Sequence, residues 1–411
     1  MDNFRDFITE QKNTHMTHLE DRVLYGGVKG TREAIFALRD LRDMLKGHGS
    51  GSKVSVKWDG APAIFAGIDP RDGKFFVAKK GIFNKNPKVY KTNSDIEEDT
   101  SGDLADKLKL ALKYLPSLGI KGVIQGDFLF SNSDLKVKRI NLDSYLTFHP
   151  NTIIYAIPMR DKETVNKIKR SKIGIVWHTT YKGSSFETMK ADYGVNVDAL
   201  KDSPDVFSQD AMLRDLSKYS MSDRETEEVN KYLREAGVIF NKISGNALRQ
   251  IENNPILSQH IEQFNNSFVR QGTIIRNTSQ HVQKLIRWIE EKYQKEADKR
   301  KTDKGKKVQL DKRDSLLSFF SKDNMVSLKY IFDLQKLLVL AKLKLINTFN
   351  RLKKIGTFVK TRDGYKITGH EGYVAIDQLG GGAVKIIDRM EFSYNNFNPN
   401  VVKGWDKPGR N

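Results

Sequence analysis

Apolar residues recur at helical spacing over the first 47 residues. In the run TREAIFALRDLRDMLKG, Ile35, Leu38, Leu41 and Leu45 fall on one face of a helix that Thr31 is predicted to cap and Gly47 to close. The segment GHGSGS at 47–52 reads as a flexible joint. From Lys53 the period shortens to that of strands. KVSVKWDGAPAIFAGI, KFFVAKK, GVIQGDFLF, NTIIYAIP and KIGIVWHTTYKG are β-branched or aromatic runs bounded by turn residues, with one predicted helix at DLADKLKLALKYL. From about Glu187 to Ile355 helical spacing returns almost without strand signals. Strand patterning resumes at TFVKTRDGYKITGHEGYVAI and GGAVKIIDRMEF.

This alternation predicts an α+β protein: a mixed or antiparallel sheet domain interrupted by a large all-helical insertion. The expected units are an N-terminal helical segment at 1–47, a sheet core at 48–183 and 356–411, and the helical insertion at 184–355. The length of 411 residues suits two or three domains, and no internal repeat is present.

Charge narrows the class of partner. Lys and Arg number 70 against 51 Asp and Glu, a formal net charge of +19. Such a surplus bears on partners and solubility rather than on fold. No apolar run is long enough to span a bilayer, so nucleic acid is the expected polyanion and no membrane contact is expected; a generally basic surface is the plainer alternative. Between His281 and Lys354 there are 20 Lys and Arg and nine Asp and Glu, a local +11. The densest part, KEADKRKTDKGKKVQLDKR, reads as a mobile basic loop between two helices. Lys304, Lys306 and Lys307 are its candidate phosphate-gripping residues, against the alternative of a solvated helix face. Cysteine is absent, which removes disulfides, thiolate zinc sites and cysteine nucleophiles, and fits a reducing compartment. The N-terminal MDNFRDFITEQ has neither a basic n-region nor an apolar h-region, so no secretory signal is expected.

Lys57-Trp58-Asp59-Gly60 is the strongest local signal for chemistry. It follows the alternating strand Lys53-Val54-Ser55-Val56 and ends it with a glycine turn. A nucleophilic lysine must present a neutral amine, and a partly apolar wall such as Val56 and Trp58 favours that form. Alone, the pattern is weak, because a β-turn with an exposed lysine looks the same.

It does not stand alone. Lys57-Trp58-Asp59-Gly60 resembles motif I of the covalent nucleotidyltransferases: the ATP-dependent DNA ligases, RNA ligases and mRNA capping enzymes. Further elements follow in that family's order. Ala78-Lys79-Lys80-Gly81 stands where the family has a basic residue after its second strand. Gln125-Gly126-Asp127-Phe128 resembles the acidic strand motif, and Thr152 to Ile157 the strand that covers the nucleobase. Glu371-Gly372-Tyr373-Val374 and Ala383-Val384-Lys385-Ile386 resemble motifs IV and V. The resemblance covers residues 53–183 and 356–393, and its overall pattern is similar to that of phage-encoded ligases.

The resemblance implies a nucleotidyltransferase (adenylation) core and a set of roles. Lys57 would attack the α-phosphate of ATP and hold AMP as a phosphoramide. Ser55 and the backbone near Val56 would face the adenine edge. Asp59, Gly60, Lys79 and Asp127 would line the nucleotide site, Asp59 and Asp127 near the ribose, and Tyr155 and Ile157 would cover the base. Glu371, with Asp127, would hold Mg²⁺ or Mn²⁺, and Lys385 would neutralise the α-phosphate. Nucleotidyl transfer rests on positioning and electrostatic stabilisation, which a lysine and metal clamp supplies. Plainer readings stay open: Glu371 as a hairpin end, Lys385 as an edge-strand lysine, Asp127 as a turn residue and Tyr155 as core. His149 and His178 receive no role.

The chain also departs from the family. Pro62 stands where an arginine is usual, Ile387 replaces a second motif V lysine, and Ile157-Pro158 replaces a Phe-Asp pair. The 26 residues after Lys385 are too few for the C-terminal oligonucleotide-binding barrel of DNA ligases and capping enzymes, so none is expected. The resulting expectation is an ATP-dependent polynucleotide ligase that joins a 3′-hydroxyl to a 5′-phosphate on RNA, DNA or both. It would act as a monomer in the cytoplasm, of an infected host cell if phage-encoded. A capping-type guanylyltransferase and a non-catalytic nucleic-acid-binding protein with a decayed core are the alternatives.

Overall fold

The computed structural model describes residues 16–48, 52–213, 221–377 and 383–405. Gly49, Ser50 and Gly51, half of the expected joint at 47–52, lie outside the described residues. The described residues are mixed α/β and form three sheets. The first holds β1 (Ser52–Lys57), β13 (Gly372–Asp377) and β14 (Ala383–Ile386), all antiparallel. The second runs β10-β8-β4-β2-β3, from β2 (Ala63–Ile68), β3 (Phe75–Ala78), β4 (Val123–Ser131), β8 (Ile173–Lys182) and β10 (Val206–Asp210), with β9 (Lys190–Tyr193) also on β8. The third runs β12-β11-β7-β6-β5, from β5 (Lys136–Ile140), β6 (Asp143–Phe148), β7 (Ile154–Pro158), β11 (Gly356–Thr361) and β12 (Gly364–Ile367). Among these strands only β10 on β8 is a parallel pair.

The N-terminal helix α1 spans Gly27–Leu45 and buries Ile35, Leu38, Leu41 and Leu45, the face that the spacing predicts. Thr31 does not cap it. It sits inside the helix and its hydroxyl donates to the Gly27 carbonyl at 2.7 Å, a bond to the preceding turn that lets a threonine sit in mid-helix. Between the strands of sheet two, DLADKLKLALKYL forms the expected helix, α3 (Gly102–Tyr114), preceded by α2 (Asn93–Asp99). A further helix, α4 (Lys162–Arg170), is capped by Asp161.

The segment expected to be helical from Glu187 begins instead with strands β9 and β10. β9 has no apolar alternation and is held only at the sheet edge, while β10 adds Val206 to the core on one face of sheet two and Phe207 to the core on the other. The helices follow: α5 (Asp223–Phe240), α6 (Gly245–Glu252), α7 (Pro255–Arg270), α8 (Thr278–Asp298), α9 (Asp303–Leu317) and α10 (Lys322–Arg351). The lysine-rich stretch is therefore mostly helix. Thr302 accepts from the Gly305 amide at 3.1 Å and starts α9, with Asp303 in the first turn where a negative charge suits the helix dipole. A last helix, α11 (Arg389–Phe397), leads to β15 (Val401–Val402).

One apolar core runs through α1, sheet one, part of sheet three and the helices α5 to α10. It encloses ionic contacts. Lys342 of α10 donates to both Glu20 oxygens at 2.8 and 2.7 Å, and Arg389 reaches Asp21 at 2.9 Å. Against the cost of burial, Lys342 and Arg389 hold the Glu20 carboxyl down at about 2. The segment before α1 is thus tied to the helices and to the start of α11. Among the described residues no helix is long and apolar enough to cross a membrane.

Candidate active site

Strand β1 alternates, with Val54 and Val56 in the core. The backbone leaves the strand after Lys57 and turns toward β2 with a bend at Ala61 and Pro62. Three donors hold that turn by the Asp59 carboxylate: Asn151 Nδ2, the Thr152 amide and the Ile153 amide, each at 2.7 Å. The Asp59 amide donates to the Tyr155 hydroxyl oxygen at 2.7 Å. Burial first, then Glu371, pushes the Asp59 carboxyl up to about 7 against the pull of these donors. Asp59 thus anchors the Lys57 turn to the start of sheet three.

Sheet one brings distant residues to this turn. Lys57 pairs with Gly372 across the β1–β13 ladder, so Glu371 stands beside it and its carboxylate forms an ion pair with Lys57 Nζ. Ser55, Val374 and Lys385 form one row across β1, β13 and β14. Burial pushes the Glu371 carboxyl up, with Lys57 opposing and Asp127 adding. Burial and the neighbouring Lys57 push the Lys385 ammonium down.

Facing this row, sheet two contributes Gln125 and Asp127 from β4 and His178 from β8. Together they line a cleft of about 390 Å³, with Ser55, Lys57, Trp58 and Lys385 on the other side. That volume falls in the range of small-ligand sites. His178 Nε2 lies 3.6 Å from Asp127 Oδ2, and its Nδ1 lies 2.8 Å from the Thr179 hydroxyl. Ala211, just after β10, joins the two sheets at the cleft: its carbonyl accepts from the Val56 amide at 2.8 Å and its amide donates to the Trp177 carbonyl at 3.1 Å. Met16 closes one side, because the Lys385 amide donates to the Thr17 carbonyl at 3.1 Å and draws the N-terminal segment alongside β14.

The cleft therefore gathers Ser55, Val56, Lys57, Asp127 and Lys385, with Glu371 touching Lys57 at its edge. Gly60 lies behind it against Asp127. Other sequence candidates sit elsewhere. Tyr155 is fully buried, stacked between Trp58 (centroids 4.7 Å) and Phe148 (5.4 Å), and Ile157 is in the same core. It is Trp58 that borders the cleft. The Val56 amide is already taken by Ala211. Lys79 pairs with Asp99 at 2.9 Å, while Lys80 lines the cleft. Lys304, Lys306 and Lys307 are exposed on α9 and do not line the cleft. His178 carried no sequence signal beyond its residue type, and Lys80 carried none that set it apart from Lys79.

Among the described residues no group of three or more His, Asp or Glu side chains is arranged to hold a metal ion. A magnesium ion bound with a nucleotide needs only one or two protein carboxylates, the phosphates supplying the rest. Asp127 and Glu371, close enough for one to raise the other, fit that smaller requirement.

These features define a protein whose two-sheet cleft presents paired lysines and carboxylates. Over residues 13–401 the chain matches the model of a family described as a family of unknown function (DUF6267), and it belongs to that family. No curated protein and no solved structure matches it.

Proposed function

We propose that this chain is an ATP-dependent polynucleotide ligase built on a nucleotidyltransferase core. The observation that carries the reading is the meeting of Lys57 and Lys385 beside Asp127 at one cleft, with Glu371 ion-paired to Lys57 at its edge, although these residues come from opposite ends of the chain. An isolated lysine turn has no reason to attract that company.

In this reading Glu371 orients the Lys57 amine. Glu371 takes a proton from the Lys57 ammonium, and the neutral nitrogen forms a bond to the α-phosphorus of ATP while the bond to the bridging oxygen breaks; pyrophosphate leaves and the surplus N–H proton passes to solvent. Lys385 offsets the charge on the α-phosphate, the kind of preorganised electrostatic aid that dominates such reactions. Asp127 and Glu371 would hold Mg²⁺ or Mn²⁺, which when bound neutralises triphosphate charge. AMP then passes from Lys57 to a 5′-phosphate end, and a 3′-hydroxyl attacks that phosphate with release of AMP. The basic helical region, α9 in particular, grips the strands.

Incubation with radiolabelled ATP or GTP tests this directly. The expected result is an acid-labile, alkali-stable AMP adduct that is lost in Lys57→Ala. Labelling by GTP alone would mean a capping-type enzyme, and no label from either would leave a non-catalytic binding protein.

A further inference from the structure

Sheet three curls enough to bring a side chain from each of its two edges together. β5 and β12 end the strand order, yet Lys138 Nζ of β5 lies 5.8 Å from the centre of the Tyr365 ring of β12. The curl holds a small interior of Ile140, Ile154, Ala156 and Phe358.

Each edge hairpin places one lysine directly across from one tyrosine. Lys138 faces Tyr145 in the β5–β6 pair, and Lys360 faces Tyr365 in the β11–β12 pair. Tyr145 meets Phe358 edge-on at 5.9 Å, which seats its ring on that interior. Both tyrosines remain partly open to solvent, and Lys136 and Lys360 are exposed. Burial, then Lys360 and Lys136, push the Lys138 ammonium down. Among the described residues no carboxylate stands within ion-pairing distance of Lys136, Lys138 or Lys360. The nearby Asp143 instead accepts a long hydrogen bond, 3.4 Å, from the Tyr145 hydroxyl. Like charges gathered on a half-buried aromatic floor repel one another, and a polyanion supplies the missing countercharge.

From these pairs we propose that the seam between β5 and β12 binds single-stranded polynucleotide, with Tyr145 and Tyr365 stacking on bases and Lys136, Lys138 and Lys360 contacting phosphates. Aromatic rings beside a basic track are how single strands are held without sequence preference. A duplex keeps its bases stacked inside and offers nothing to the rings. An acidic peptide would use the lysines but not the ring faces. None of these five residues lines the nucleotide cleft. The inference rests on the ligase reading only in its choice of polyanion, since strand binding here does not require Lys57 chemistry.

Fluorescence anisotropy with a short labelled oligothymidylate, read at several salt concentrations on the full chain, tests the site. The triple variant Lys136→Ala, Lys138→Ala, Lys360→Ala should flatten the plot of log affinity against log salt by about 2, at roughly 0.7 for each phosphate of a single strand that is no longer neutralised. Tyr365→Leu should weaken binding by about 5-fold or more with the slope unchanged, whereas Tyr365→Phe should bind normally, because only the ring is needed. Unchanged binding in the triple variant and in Tyr365→Leu would overturn the site. So would an equal loss for polyglutamate in Tyr365→Leu, which would mean that the ring does not meet a base. Lys57→Ala should bind the oligothymidylate as the wild type does. If AMP labelling fails while the seam variants lose binding, the ligase reading falls and this site stands; if labelling succeeds and the seam variants bind normally, only this site falls.

Discussion

Gly60 rests directly on Asp127: a Cβ at position 60 would lie 2.6 Å from the Asp127 Cβ and 3.0 Å from the Phe128 carbonyl oxygen. The turn that ends at Gly60 and the acidic strand β4 are therefore in backbone contact, reinforced by the Ala61 amide donating to the same Phe128 oxygen at 2.9 Å. This contact sets the distance between Lys57 and Asp127. Gly60→Ala must push the two apart, at a cost of about 1–3 kcal/mol typical of overpacking. Displacing a reacting group by about 1 Å is worth roughly 10²-fold in rate. Urea denaturation and AMP labelling of Gly60→Ala should both fall short of wild type. A variant as stable and as active as wild type would mean that the turn is free to move.

Glu371 and Lys385 stand near Lys57 from different parts of sheet one and are of opposite charge type. Glu371→Ala and Lys385→Ala should each lower self-adenylylation by about 10²–10³-fold, the scale of removing one preorganised electrostatic group. Single-turnover labelling with saturating ATP measures this. Normal rates in both variants would remove motifs IV and V from the assignment.

Asp59 gives the site a pH signature. Its carboxyl is raised to about 7 in the fold, above the ordinary carboxylate value near 4. Between about pH 4 and 7 the folded state holds a proton that the unfolded chain has released. Stability from this group is therefore greatest below that window and declines as pH rises through it, by up to about 1.4 kcal/mol per pH unit. Asp59→Asn removes the titration, so its stability should be less steep than wild type across pH 4–7. Urea midpoints at several pH values read the difference, and parallel curves would place the Asp59 carboxyl outside that window.

Much of this arrangement was legible from local pattern. The alternation around Lys57 and the apolar face of α1 follow from periods that a strand or a helix imposes on adjacent residues. What joins Lys57 to Glu371 is the β1–β13 register, set by packing against α1 and the helices rather than by any neighbouring residue. For the same reason Lys79 and Lys80 could not be told apart: the turn after β3 sends one to Asp99 and the other to the cleft. Tyr155 was ambiguous because a buried platform and a base platform have the same composition, and only Trp58 stacked over it decides which ring borders the cleft. His178 gives no sign of itself in the sequence because its value comes from facing Asp127 on the neighbouring strand.

The basic stretch after α8 forms a helix, and that sharpens the expected behaviour of its lysines. On α9, Lys304, Lys306 and Lys307 are all exposed, and none forms an ion pair among the described residues. Their charge is available to a partner without first breaking an internal bond. A helix holds them at fixed spacing, so fewer degrees of freedom are frozen on binding than from a loose loop. Replacing all three with alanine keeps good helix formers in place, which separates loss of charge from loss of fold. Self-adenylylation should be unchanged, because none of the three lines the cleft. Binding to a nicked or paired substrate should weaken, and the salt slope should flatten by roughly 0.7–0.9 for each phosphate no longer neutralised. The weakening should be alike for unrelated sequences, since phosphate contacts position a strand without reading its bases. Binding constants of wild type and triple variant at several salt concentrations provide the measurement. An identical slope would make α9 a solvated face and move the grip on the substrate elsewhere on the basic surface.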